Sequence, residues 1–348
     1  MKSFLAGVLA TASLLMVATL SASAAGTVET TRTMIPIIDT HAHPFRGARR
    51  GYPTSADQVV RAMDEFGVEI TILLPPPFPS GHPGRYGRSE LKPMVRVYPD
   101  RLAFAARGES LNSMLHDVSP ENVTPRIAKA FRDEAEAIAN AGAAGYGEFA
   151  TEHFSFGIRN HPYESAAPDH PLLLLLTDIA AQHDMPIDIH MEAVPQDMPM
   201  PTRFSGLGPN PANLKENISG LERLLAHNPK TRIVWAHAGW DNTGERTVPL
   251  MRRLLNEHPN LYMSIKLDER APKRTSPFDL DGNLKPGWLA LLSDFPDRFL
   301  IGSDQFFDDA PEHLALARKF VDALPLEIAR RVASENAKLV YRFGAQPK

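Results

Sequence analysis

His41 and His43 stand two residues apart in Asp39-Thr40-His41-Ala42-His43. In an extended strand the side chains alternate with a period of two, so both imidazoles leave the same face. Two imidazoles on one face are a natural start for a metal site, although the pair alone is weak evidence. Ligand-type residues recur, however, where other apolar runs end. Glu148 follows Gly145-Tyr146-Gly147, His190 closes Ile187-Asp188-Ile189, His237 closes Ile233-Val234-Trp235-Ala236, and Asp304 follows Leu300-Ile301-Gly302-Ser303. Imidazole and carboxylate suit zinc, manganese or iron, and three or four protein ligands leave a position for water. A bound ion lowers the pKa of that water, and Asp304 is placed to take its proton as the hydroxide attacks. His237, where it is not a ligand, would polarise the substrate or shuttle a proton. Each group has an ordinary alternative: a core histidine bonded to a carbonyl, a Glu148 paired with Arg or His, an Asp304 that caps a helix. Coincidence of all of them at equivalent places is the weaker account.

The elements that must bring these residues together alternate between short β-branched or apolar runs and longer helical patterns. Strands are expected over residues 35–39, 69–74, 102–106, 144–149, 186–190, 232–236, 261–265 and 298–302, and helices over such stretches as 55–66, 125–140, 172–183, 213–228 and 247–257. Ser55, followed by Asp57 and by apolar Val59, Val60, Met63 and Phe66, reads as an N-capped amphipathic helix. Eight strands with intervening helices predict an α/β fold, a (β/α)8 TIM barrel, in which chemistry sits at the C-terminal strand ends. An open doubly wound sheet is the competing architecture, but the first strand ends in two histidines rather than a Gly-rich phosphate loop. The Pro-rich segments 75–83 and 195–211 follow candidate strands, where they either shape a pocket or serve as surface linkers.

With these residues in view, the sequence resembles the amidohydrolase superfamily, in particular the amidohydrolase-related (amidohydrolase 2) branch of metal-dependent TIM-barrel hydrolases. The resemblance runs from about Ile37 to Tyr341 and is carried by Ile38-Asp39-Thr40-His41-Ala42-His43-Pro44, Trp235-Ala236-His237-Ala238-Gly239 and Ile301-Gly302-Ser303-Asp304. It implies that His41, His43, His190 and Asp304 hold a divalent metal, with His237 as a further ligand or a catalytic partner. Glu148 decides the count: where the superfamily holds two ions a carboxylate on the fourth strand bridges them, and Glu148 with His237 would complete such a site. The Trp-Ala-His-Ala-Gly segment favours one ion, and zinc is the expected metal ahead of manganese or iron.

The implied activity is hydrolysis of an ester, lactone or amide bond in a small, carboxylated molecule. Nonoxidative decarboxylation uses nearly the same ligands and stands as the alternative. A TatD-like nuclease matches Gly147-Glu148-Phe149 only loosely, and a catalytically idle binding barrel has no need of so complete a ligand set. Arg46, Arg107 and Lys266 follow strands and could hold a carboxylate or phosphate, while Trp240, His153 and Phe306 could form pocket wall. The histidines at 82, 116, 161, 170, 183, 227, 258 and 313 receive no role.

Composition narrows the class further. The chain has 348 residues, 43% of them hydrophobic and 22% charged, with a formal charge of -4 and no basic cluster, which argues against nucleic acid as a partner and for a small-molecule substrate. There is no cysteine, so stability must come from core burial and metal rather than disulfides. Met1-Lys2, an apolar run over 4–20 and the small residues Ser21-Ala22-Ser23-Ala24-Ala25 read as a cleaved signal peptide over 1–25, followed by one barrel domain over 26–348. The mature protein is then expected to be periplasmic or secreted and free of the membrane, and a homo-oligomer is compatible with the sequence.

Overall fold

A computed structural model of the chain describes residues 34–45, 55–106, 108–157 and 161–344. The expected leader, Arg46 and Arg107 lie outside these residues. Eight strands succeed one another along the chain: β1 (Ile37–His43), β2 (Val68–Leu73), β3 (Leu102–Phe104), β4 (Tyr146–His153), β5 (Ile187–Met191), β6 (Ile233–Ala238), β7 (Leu261–Ile265) and β8 (Phe299–Ile301). They pair in parallel in the order β3-β2-β1-β8-β7-β6-β5-β4. The two ends of that row meet through a parallel bridge from Ala105 to Gly145, reinforced by Ala144 N donating to Phe104 O at 2.8 Å. The row therefore closes on itself, as expected for a (β/α)8 barrel.

Helices cover the outside. In α1 (Ala56–Phe66) the Ser55 hydroxyl accepts from Gln58 N, Gly67 ends the helix in the left-handed conformation, and Ala56, Val59, Val60 and Met63 form the buried stripe. Between later strands lie α2 (Arg88–Val97), α3 (Gly108–Asp117), α4 (Pro125–Asn140), α5 (Pro171–Gln182), α6 (Ile218–His227), α7 (Val248–Glu257) and α8 (Pro286–Asp294), and α9 (Glu312–Ala323) follows β8. The helical pattern read over 213–228 begins only at Ile218. Asn213–Leu214 instead pairs with Met198–Pro199, and the Asn217 side chain bonds Val194 N and Glu192 O. These local bonds outcompete an extra helical turn.

Strand alternation divides the apolar residues between two layers. Ile37, Leu73, Ile233 and Ile301 face the helices in the main core. Their neighbours Ile38, Ile72, Val234 and Leu300 turn inward, where Ala337, Val340 and Tyr341 from the C-terminal segment pack against them. Ile38 and His41 are three residues apart, so strict alternation would send them to opposite faces. A register shift against β2 between Asp39 and Ala42 resets the phase. Below it β1 fills the barrel with hydrocarbon, and above it β1 presents both histidines to the interior. No helix among the described residues is long and apolar enough to cross a membrane.

Candidate metal centre

The outer nitrogens of the first two histidines are already engaged. His41 Nδ1 faces the two oxygens of Asp188 at 3.2 and 3.3 Å, and His43 Nδ1 donates to Leu74 O at 2.9 Å. Both Nε2 atoms therefore point into the barrel. His43 Nε2 lies 3.0 Å from Asp304 Oδ1 and 3.8 Å from Glu148 Oε2, and His41 Nε2 lies 3.6 Å from Glu148 Oε2. A second group forms around the other oxygen of the same glutamate: His190 Nδ1 is 2.7 Å and His237 Nε2 3.4 Å from Glu148 Oε1, with 3.1 Å between the two nitrogens. Glu148 thus divides its carboxylate between a His41/His43 set and a His190/His237 set. In each, one ligand atom per residue can be chosen so that all lie within 4.8 Å of one another.

These residues fit a divalent metal. His41 Nε2 and Glu148 Oε2 are buried without any hydrogen-bond partner, a costly condition that a bound cation relieves. The ring of His41 is oriented by a carboxylate behind it, as a metal-ligating histidine requires. Protonation follows the same geometry. Burial works against charge on Glu148, but the charge on His41 and hydrogen bonds from His190 and His237 hold its carboxyl well below the usual range. Burial likewise opposes ionisation of Asp304, and the Lys266 and His43 side chains overcome it, again holding the carboxyl well below the usual range. Both are anionic at neutral pH.

The backbone is shaped to deliver them. His237 and Asp304 adopt left-handed φ values of 69° and 57°, a conformation that costs roughly 1–3 kcal/mol outside glycine and gathers at functional sites. Each is held in place: Trp240 N donates to His237 O at 2.9 Å, and Asp304 N to His41 O at 2.8 Å. Gly302 lets β8 approach its neighbours, since a Cβ there would sit 2.8 Å from the Ser264 side chain and 3.0 Å from His41 Cβ. Asp39 then ties β1 to β8 by accepting from Ser303 N at 2.8 Å and Ser303 Oγ at 2.5 Å, with burial raising its carboxyl to about 6.

The family model described as amidohydrolase matches residues 38–343. The chain belongs to the amidohydrolase family. Similar solved structures share the fold at low identity. A dihydroxybenzoic acid decarboxylase from Polaromonas sp. JS666, with bound manganese and an inhibitor, is 16% identical with a TM-score of 0.53, over 90% of this chain and 98% of its own. A 2,6-dihydroxybenzoate decarboxylase bound to 2,6-dihydroxybenzoate is 14% identical with a TM-score of 0.52, over 89% and 100%. Dihydroorotase from Campylobacter jejuni is 16% identical with a TM-score of 0.50, over 90% and 85%. No curated protein matches the chain.

In this amidohydrolase the residues expected to meet substrate are more enclosed than a surface rim. Lys266 is buried; its ammonium donates to Asp304 Oδ2 and lies 4.3 Å from the centre of the Trp240 ring. Trp240 is buried too, so it forms the back of the Lys266 niche. His153 stacks on His161 and meets the His190 ring edge-on at 4.8 Å, and burial followed by the neighbouring histidines pushes its pKa well below the usual value. Phe306 lies 4.5 Å from the His43 ring and lines a cavity of about 840 Å³ with Asp268, Arg270 and His313. That size suits a small molecule.

Sequence reasoning left other members of the site unassigned. Asp188 sits inside the quoted Ile187-Asp188-Ile189-His190 run, two residues before His190, a spacing that could have marked it as facing the same interior. Glu192, the next residue in that alternation, lies 3.6 Å from His190 Nε2 and accepts from Asn242 N and Nδ2, each at 2.5 Å. Arg246 lies on no strand and carries no pattern. Its guanidinium is nevertheless buried, donating to Ala236 O and Met191 O beside His237 and His190.

Proposed function

We propose that this protein is a metal-dependent hydrolase that cleaves an ester, lactone or amide bond in a small, carboxylated molecule. The observation that carries the reading is Glu148, whose Oε2 faces His41 and His43 and whose Oε1 faces His190 and His237, with His41, His237 and Asp304 forming a further group that links the two. The sequence favoured one ion; this sharing of Glu148 supports room for two, which Glu148 would help to hold. His41, His43 and Asp304 would hold one ion, His190 and His237 the other. When bound, a divalent ion supplies Lewis-acid polarisation and water of near-neutral pKa. The chain's own groups then divide the remaining work. Asp304, the carboxylate beside the first set, is placed to accept the proton of the attacking water. Lys266, with one N–H on Asp304 and further donors available, is suited to draw in a carboxylate. The cavity beside Phe306, which packs against the His43 ring but is lined by none of the candidate ligands, is the space we assign to the rest of the molecule.

Activated water is what separates hydrolysis from the decarboxylation named for two of the similar structures, since loss of carbon dioxide has no use for it. The manganese of one of them makes that metal a rival to zinc. Metal analysis of protein purified without a metal-affinity tag, followed by an ester, lactone and amide panel in ¹⁸O-water, tests the proposal. Incorporation of solvent oxygen into product, abolished by Asp304→Asn and by His43→Ala in folded protein, is the expected result. Unchanged turnover in both variants would refute the assignment, and carbon dioxide release without solvent oxygen would establish decarboxylation instead. We further propose that residues 1–25 export the enzyme; the N-terminus of the protein recovered from periplasm or medium then begins near residue 26.

A further inference from the structure

Asp304 is held at four points, and one of the holding groups is a histidine to which the sequence assigned no role. Its amide bonds His41 O, its Oδ2 bonds Lys266, and its Oδ1 faces His43 Nε2. The fourth point is its carbonyl, which accepts from His313 Nδ1 at 3.0 Å. A carbonyl only accepts, so Nδ1 carries the hydrogen. On the far side of the ring, Nε2 lies 3.3 Å from Asp268 Oδ2, so the carboxylate fixes the plane of the ring while Nδ1 meets the carbonyl.

Asp268 is in turn fixed rather than mobile. It accepts from Arg270 Nε at 2.9 Å, Nη2 at 2.6 Å and backbone N at 2.7 Å. The helix carrying His313 is registered independently, because His313 N donates to Gln305 Oε1 at 3.1 Å. The result is a continuous path from Arg270 through Asp268 and His313 to the main chain of Asp304. It ends where the backbone is in the left-handed region and most needs a partner.

We propose that His313 is a positioning residue that fixes the main chain of Asp304, with Asp268 aiming its ring. The proposal rests on the reading of Asp304 as a metal ligand. Without the His313 bond the Asp304 carbonyl loses its partner, the peptide relaxes, and Oδ1 leaves its place beside His43. Groups that orient ligands from behind typically change metal affinity about 10–100-fold.

The test is zinc or manganese retention by the full mature protein, which needs no substrate. Each variant is loaded, dialysed, analysed for metal and then stripped with dipicolinate. His313→Ala loses metal at least about ten times faster than the unaltered protein, at a similar unfolding temperature. His313→Asn, whose amide nitrogen falls near Nδ1, restores slow stripping. His313→Gln, whose nitrogen falls near Nε2, does not. Native retention by a folded His313→Ala protein overturns the proposal, and so does equal loss in the Asn and Gln variants, which would assign the effect to ring bulk. If the unaltered chain itself holds no metal, the metal-site reading fails and this proposal with it; the two failures are thereby distinct.

Discussion

Lys266 bonds Oδ2 of Asp304 and leaves Oδ1 turned towards His43 Nε2, 3.0 Å away. The lysine therefore selects which oxygen of the aspartate is turned to the histidines, and its positive charge stands among the side chains proposed to hold metal. Removing it should affect the two guests differently. Lys266→Met should leave metal content unchanged, because a repelling charge is gone. It should raise KM for a carboxylated substrate at least about ten-fold, the worth of one charge-assisted hydrogen bond. Steady-state kinetics on the substrate identified by the panel, set beside metal analysis of the same preparation, checks both. A fall in metal content with unchanged KM would show that Lys266 acts only on Asp304.

Glu148 is the one side chain shared by both histidine sets, so its replacement distinguishes one ion from two. Glu148→Gln keeps the shape but removes the negative charge and turns one oxygen into a donor that cannot ligate. With two bridged ions, metal content should drop by at least one equivalent per chain. With a single ion on His41, His43, His190 and Asp304, it should change little. Elemental analysis after dialysis decides between them. The variant should remain folded, since Glu148 makes no hydrogen bond to the main chain among the described residues.

The parts of this site that were legible in the sequence are those governed by strand periodicity. His41, His43, Glu148, His190, His237 and Asp304 each close an apolar run, and parallel pairing around a barrel brings such ends to one rim. The phase break in β1 was not legible, because it arises from register against β2 rather than from residue type. Nor were the partners approaching from outside the strands. His313 and Arg246 come from connecting segments and helices whose position depends on the packed barrel, and an isolated His or Arg in a sequence has no spacing to mark it. Lys266 was expected to meet substrate from its place after a strand, whereas its burial against Trp240 and Asp304 is tertiary information.

Glu152 gives a prediction for pH. It lies on β4 with one oxygen accepting from Ser165 Oγ at 3.0 Å and the other without a partner. Burial raises its carboxyl from 4.5 to about 7, against hydrogen bonds from Tyr163 and Ser165. As pH rises between these values, the unfolded chain releases a proton that the folded protein keeps. The stabilisation is thus complete below pH 4.5 and is lost as pH approaches 7. Glu152→Gln should flatten this decline and leave the metal-free protein more stable at pH 8, by on the order of 1–3 kcal/mol. Thermal unfolding from pH 4 to 8 measures it. An unchanged slope would mean that Glu152 is not the group responsible.

Arg246 tests whether the second histidine set depends on a buried cation. Its guanidinium lies over Trp235, 3.9 Å from the ring centre, and spans the carbonyls of Ala236 and Met191, which neighbour His237 on β6 and His190 on β5. Asp241 and Glu192 supply the compensating negative charge. Arg246→Met strips Ala236 O and Met191 O of their guanidinium donor, Met191 O keeping Trp235 Nε1, and leaves two carboxylates uncompensated, a loss of about 3–5 kcal/mol for a broken buried network. The unfolding temperature should fall on the order of 10 °C. Arg246→Lys should fall in between, because a point charge cannot bridge both strands as a planar fork does. The deciding measurement is metal retention at a temperature where both variants are still folded. If His190 and His237 are held at their separation by this bridge, both variants should lose at least one equivalent of metal while still folded, the methionine variant more completely. If stability falls and the metal stays, Arg246 serves the barrel alone.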